Sequence, residues 1–411
     1  MTRRPRIAIL YHFLHPDDVI SAQLFSLLAV GLAERGWDVE AIASNRSCHA
    51  DVTYRPQTEL WNDVILRRIW RPRWAQSTSK GRILNALWMI TAWSTMVFRS
   101  RSRLPDVLFV GTDPVLSVLV AGVMKTIRPQ VKVVHWAFDL YPEAALADGL
   151  LSADSQFLKL INMFLRYSYR SCDLVADLGP CMRDRLEYYG HDCQKMTLPP
   201  WALVEPSQAE KAEPELRRQL FGDAKLTLLY SGNFGRAHEF IEFVQLARQL
   251  RDTGIVLGFS VRGARVEELK AAVTRDDANI RFLPFASEAE LGRHLATGDI
   301  HLVSLRQNWT GIVVPSKFFG SLASGRPVLF AGEAKASISR WIEDYQVGWR
   351  VSSDNIQEVA GKLTRLSENR DALAPLQHHC HAVYQQHFSR RHVVECFDQE
   401  MRKLLKEVKG G

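Results

Sequence analysis

Short apolar runs alternate along this chain with longer stretches of helical periodicity. Residues 6–11, 37–43, 106–110, 131–138 and 172–178 are brief and almost continuously apolar, the pattern of strands buried on both faces of a parallel sheet. Helical sequence lies between them, as in residues 20–35, which Gly36 brings to a stop. Residues 199–214 carry four prolines and several charges and read as a linker. The alternation then restarts, with strands expected at 226–230, 255–261, 280–284, 300–305, 327–330 and 349–351, and residues 355–409 are mainly helical. The expected fold class is α/β: two Rossmann-like domains facing a cleft, with a C-terminal helical segment. The domains are expected at residues 1–200 and 215–375. Helices in 376–411 are expected to pack back toward the N-terminal domain.

A length of 411 residues exceeds one ordinary core, which agrees with two domains. With 46% hydrophobic and 24% charged residues the composition is that of a globular protein. The formal net charge of +7 favours acidic partners such as phosphates or anionic lipid, and no nucleic-acid-binding motif accompanies it. Cys48, Cys172, Cys181, Cys193, Cys380 and Cys396 are scattered without metal spacing, as in a reduced cytoplasmic protein. The first apolar run is too short for a signal-peptide core.

Two segments of the second half carry the most chemistry. In Tyr230-Ser231-Gly232-Asn233-Phe234-Gly235-Arg236 a buried strand ends in a glycine turn with a cation. In Val314-Pro315-Ser316-Lys317 a helix begins with a hydroxyl and a second cation, and it closes at Gly325. Backbone N–H groups and cations at the carboxyl ends of strands suit an anionic ligand, although either segment alone is equally an ordinary strand-to-helix turn. Thr310-Gly311-Ile312-Val313, in the loop after the strand at 300–305, is a candidate grip for sugar hydroxyls or a distal phosphate, or else a plain connection around Trp309. In the first half, Asp139 and Glu143 follow the strand at 131–138. A carboxylate there can orient a hydroxyl or act as a base; the alternative is a turn cap and a first-turn helix residue. His12 and His15 are weaker candidates in the first loop.

Residues 61–103 hold nine Lys or Arg against the single acid Asp63, together with Trp61, Trp70, Trp74, Trp88 and Trp93. The uncharged stretch 83–98 is shorter than the roughly 20 residues that span a bilayer. Basic ends and tryptophans fit a helix at a membrane interface, or a core-facing helix with a solvated basic rim.

Together the segments Asp139–Glu143, Tyr230–Gly235, Val314–Lys317 and Gly325-Arg326-Pro327-Val328 resemble the GT-B glycosyltransferases of glycosyltransferase family 4, in their bacterial exopolysaccharide and O-antigen form. The resemblance covers essentially the whole chain. It implies retaining transfer from a nucleotide-diphosphate sugar to an acceptor hydroxyl, without a metal or other cofactor. It also implies that Gly232, Asn233, Arg236, Ser316 and Lys317 hold the diphosphate, with residues 310–313 at the sugar; from their place past the strand at 131–138, Asp139 and Glu143 are the catalytic candidates. Many family members carry a Glu-x7-Glu pair, at whose positions this chain has Ile312 and Gly320. The glycine-rich first loop of the family is replaced here by Asp17-Asp18-Val19-Ile20-Ser21. The expected partners are a nucleotide sugar, a lipid-linked or glycan acceptor and an anionic membrane surface, and the expected place is the inner face of the cell membrane. The rival readings are a GT-B UDP-sugar epimerase and a catalytically silent partner subunit. A nicotinamide enzyme is disfavoured because no GxGxxG follows the first strand.

Overall fold

The computed structural model describes residues 3–48, 55–99, 104–190 and 193–406. The chain divides into two compact units, one of residues 1–199 with 393–411, the other of residues 200–392. Each is a sheet of mainly parallel strands with helices between them, as the alternation of the sequence predicts.

In the first unit the strands are β1 (Arg6–Leu10), β2 (Asp38–Ser44), β3 (Thr58–Trp61), β4 (Val64–Ile69), β5 (Val107–Val110), β6 (Lys132–Trp136), β7 (Leu174–Asp177) and β8 (Gln194–Thr197). They are ordered β3-β4-β2-β1-β5-β6-β7-β8. Every residue of β5 and β7 is buried, the result of helices on both faces. The basic, tryptophan-rich segment holds a further element before the helix expected of its uncharged stretch 83–98. Its first part is the antiparallel hairpin β3–β4, turned by Asn62 and Asp63, both at positive φ, as a two-residue hairpin loop requires. Without a glycine, that Asn-Asp pair is a weak signal in sequence. The helix follows at Ser79–Arg99.

Helix Arg390–Lys406 carries the C-terminal part of the chain onto the first unit. Phe397 packs on Phe109 of β5 with ring centroids 4.9 Å apart, and Trp37 Nε1 donates to Asp398 Oδ1 at 2.6 Å. Gly31 is required beneath this helix, because a Cβ there would stand 2.8 Å from Val394 Cγ1.

The second unit holds β9 (Leu226–Asn233), β10 (Ile255–Arg262), β11 (Ile280–Phe282), β12 (Ile300–Ser304), β13 (Val328–Ala331) and β14 (Gly348–Val351), ordered β11-β10-β9-β12-β13-β14. The order reverses between β9 and β12. At such a switch point the connections leave in opposite directions, and a crevice opens at the carboxyl ends of the strands. In the first unit the corresponding point lies between β1 and β5.

Candidate active site

Both chemistry-bearing segments of the second unit meet at its switch point. From Leu226 to Tyr230, β9 is buried, and it surfaces at Ser231-Gly232-Asn233. Gly232 has φ +120°, a conformation that side chains disfavour, and a Cβ there would stand 3.1 Å from Lys317 Cε. Phe234 anchors the turn: it is fully buried, edge-on to Tyr230 at 5.1 Å and beside Phe240 at 6.0 Å. Burial of such a ring stabilises by about 1.5–3 kcal/mol, enough to keep the flanking glycines in place.

Lys317 opens the helix Lys317–Ala323, two positions after Pro315, where the sequence suggests it starts. Ser316 stands at the cap, and Phe318 N donates to Pro315 O at 3.2 Å. Lys317 Nζ donates to Asn233 O at 2.8 Å, lies 3.4 Å from His238 Nε2, and sits 5.3 Å from the Tyr230 ring centroid. Burial lowers its ammonium to about 8. His238 Nδ1 lies 2.8 Å from Ser304 O, a partner that can only accept, so Nδ1 carries the hydrogen and Nε2 turns a lone pair toward the ammonium. Burial first and Lys317 second push His238 down to about 3, so the imidazole stays neutral at ordinary pH. The cation is therefore steered by neutral acceptors, and among the described residues no carboxylate is recorded in an ion pair with it. That leaves its charge available to an anion.

The other expected donor-side residues surround this point. Arg236 is exposed, and its carbonyl accepts from Arg306 Nη1 at 3.4 Å. In the loop after β12, Thr310 N and Ile312 N donate to Gln307 O and Trp309 O, Gly311 has φ +79°, and Thr310 and Ile312 are buried. Two of the four amides expected at a sugar are thus spent within the loop. Beside it, at the carboxyl ends of β12, β13 and β14, is a cavity of about 600 Å³ lined by Glu239, Glu242, Arg306, Gln307, Asn308 and Glu333 among others. These glutamates carry no motif in the sequence, since they lie away from the Glu-x7-Glu positions. Their one signal is place, since Gly332-Glu333 directly follows β13. Burial, followed by the neighbouring Glu239, raises Glu242.

At the switch point of the first unit the structure gathers His12, Asp113 and Asp139, from the loops after β1, β5 and β6. His12 Nδ1 is 3.2 Å from Asp113 Oδ1, and His12 Nε2 is buried without a partner. Asp139 is exposed on its residue surface, yet the surrounding protein, and then the Asp113 carboxylate, raise its carboxyl to about 6. Glu143 is placed differently. It opens the short helix Glu143–Ala147, and its Oε1 accepts from Tyr189 O–H at 2.6 Å. His15 stacks on Trp61 at 4.0 Å, a packing role.

No family model matches the chain. It is 27% identical over 321 residues to a Pseudomonas aeruginosa protein named probable glycosyltransferase WbjE, covering 75% of this chain and 78% of that one. Sucrose-phosphate synthase from Thermosynechococcus elongatus shares its fold with a TM-score of 0.71 at 15% identity, over 98% of this chain and 100% of that structure. WaaG, a glycosyltransferase involved in lipopolysaccharide biosynthesis, matches with a TM-score of 0.60 at 15% identity, over 98% and 100%. Anabaena HepE in complex with UDP and glucose matches at 0.62 and 14% identity, over 97% and 99%. The chain has the GT-B fold.

In this GT-B fold each switch point thus carries its own charge pattern, a steered cation on the second unit and a histidine with two carboxylates on the first. Of these groups, Asp113 and His238 had little sequence signal. Asp113 sits in an unremarked Thr-Asp-Pro after β5, and His238 lies beyond the glycine turn. Only the strand order brings each beside its partner.

Proposed function

We propose that the protein is a retaining, metal-independent, hexosyl-type glycosyltransferase of family 4. It moves a sugar from a nucleotide-diphosphate sugar, best a UDP-sugar, to a hydroxyl of a lipid-linked or glycan acceptor. Its product belongs to a bacterial surface polysaccharide or glycolipid. The observation that carries this reading is Lys317, a half-buried cation fixed by Asn233 O and His238 Nε2 against Gly232, with no recorded carboxylate partner. Gly232, Asn233, Arg236, Ser316 and Lys317 take the diphosphate. Lys317 and Arg236 stabilise the charge that grows as the diphosphate leaves, the preorganised electrostatic effect that dominates many transfer reactions. The loop 310–313 faces the sugar, and Glu333 or Glu239 in the adjoining cavity accepts hydrogen bonds from the ribose. HepE has been solved with UDP and with UDP-glucose, which supports a uridine donor here.

On the first unit, Asp139 orients or deprotonates the acceptor hydroxyl, with Asp113 and His12 tuning it; Glu143 acts beside it through the Tyr189 contact. The protein works in the cytoplasm at the inner face of the membrane, docked through the basic segment 61–103. A thermal-shift screen of nucleotide sugars tests the donor assignment. The right donor raises the melting temperature by mass action, and Lys317→Ala abolishes the shift. No shift with any nucleotide, in either protein, would count against the reading.

A further inference from the structure

We propose that the outer faces of helices Ser79–Arg99 and Gln156–Arg170 form one lipid-embedding surface on the first unit, which seats the protein in an anionic membrane. Both helices pack against the helix Leu119–Ile127. Gly122 of that middle helix admits the Tyr167 ring, since a Cβ there would stand 2.9 Å from Tyr167 Cε1, and Tyr167 O–H meets Thr126 Oγ1 at 2.6 Å. The three helices therefore make one layer.

On the helix Gln156–Arg170, at about 100° per residue, Leu158, Leu165 and Tyr169 face the core. Phe157, Leu160, Met163, Phe164 and Tyr167 form a second apolar stripe on another side, each more than half exposed. Lys159, Arg166 and Arg170 lie along a third line. On the helix Ser79–Arg99, Ile83, Leu84, Leu87 and Trp88 are exposed opposite the buried Ala86, Met89 and Trp93. Trp88 meets the rings of Trp70 and Trp74 edge-on, at 5.3 and 6.2 Å, which extends the apolar area.

An ordinary surface helix has one apolar stripe, so a second on each of two helices points to something that covers them. The charges choose the occupant. None of the three helices contains an Asp or Glu, whereas Lys80, Arg82, Lys159, Arg166 and Arg170 are all basic; Lys125, on the middle helix, is already paired with Asp173 at 2.7 Å. A second copy docked through the same patch would set cation against cation. Lipid phosphates neutralise them instead, and tryptophans favour the same interface. Among the described residues no helix is long and apolar enough to cross a membrane, which fits helices lying in the interface. The surface deepens the membrane-docked part of the proposed function: it adds the helix Gln156–Arg170, far from the basic segment in sequence, and makes insertion of side chains part of docking.

The test floats the full-length protein with vesicles of phosphatidylcholine, alone or mixed with phosphatidylglycerol, and measures UDP binding by calorimetry in parallel. The wild type is expected to bind anionic vesicles at least about tenfold better than neutral ones. The double variant Leu160→Asn with Phe164→Asn, at exposed positions, should lose about tenfold in vesicle affinity with its melting temperature and UDP binding unchanged. Lys159→Gln with Arg166→Gln should lose the salt-dependent part of the affinity. The proposal fails if the wild type does not float, or if the Leu160/Phe164 variant floats as well as wild type. It also fails if gel filtration shows a dimer which that variant splits while neither protein floats. Absent UDP binding in a protein that floats normally would defeat the transferase reading and leave this surface standing.

Discussion

Because burial lowers Lys317 to about 8, its charge should titrate within reach of ordinary assays, and nucleotide affinity should titrate with it. A diphosphate binds the ammonium and not the free amine, so affinity follows the protonated fraction in the unliganded protein. With the pKa near 8, about nine molecules in ten carry the charge at pH 7 and about one in ten at pH 9, a loss of about tenfold or 1.4 kcal/mol. The sign follows from the lowered pKa: affinity is full below it and declines as pH rises through it, whereas an ordinary lysine would leave the profile flat over this range. The assay is calorimetric titration of UDP between pH 7 and pH 9. Lys317→Arg keeps a charge that does not titrate here and shows any decline that belongs to the ligand. Lys317→Ala should bind weakly at every pH. A wild-type profile that is flat, or that falls no more than the Arg variant's, would sink the reasoning.

Gly232→Ala should lower UDP affinity by about tenfold and the melting temperature as well, because the new Cβ meets Lys317 Cε in a positive-φ conformation that costs about 1–3 kcal/mol; calorimetry and thermal melting read the two effects. Asp139→Asn should slow transfer by about 10²–10⁴-fold while leaving UDP affinity alone, and in the wild type the transfer rate should fall as pH drops through about 6, where the carboxylate takes up its proton. A rate indifferent to both changes would remove Asp139 from the chemistry. Asp299→Ala should destabilise by about 3–5 kcal/mol in chemical denaturation, since it strands Arg217 and Arg370, held at 2.9 and 2.8 Å, and the Thr227 amide at 2.9 Å.

The two-sheet fold and the glycine turn with its cation were legible because both are local. A strand buried on both faces must be continuously apolar, and a turn at positive φ selects glycine, so Leu226–Tyr230 and Gly232 announce themselves in the chain. The hairpin β3–β4 was less legible: its Asn-Asp turn lacks glycine, and strong basic and aromatic composition masked the alternation of β4. The apolar stripe of the helix Gln156–Arg170 was hidden for another reason. Leu158 and Leu160 look alike in sequence, and only packing against the neighbouring helix buries one and exposes the other.

Partnership across the chain was decided by tertiary structure alone. His238 becomes the acceptor facing Lys317 because β9 and β12 are adjacent at the switch point, which lets Ser304 O fix the imidazole tautomer from the neighbouring strand. Asp113 reaches His12 and Asp139 because β5 lies between β1 and β6. Hydrophobic periodicity reports which face of an element is buried; strand order sets which elements touch, and the electrostatics of both candidate centres arise from that order.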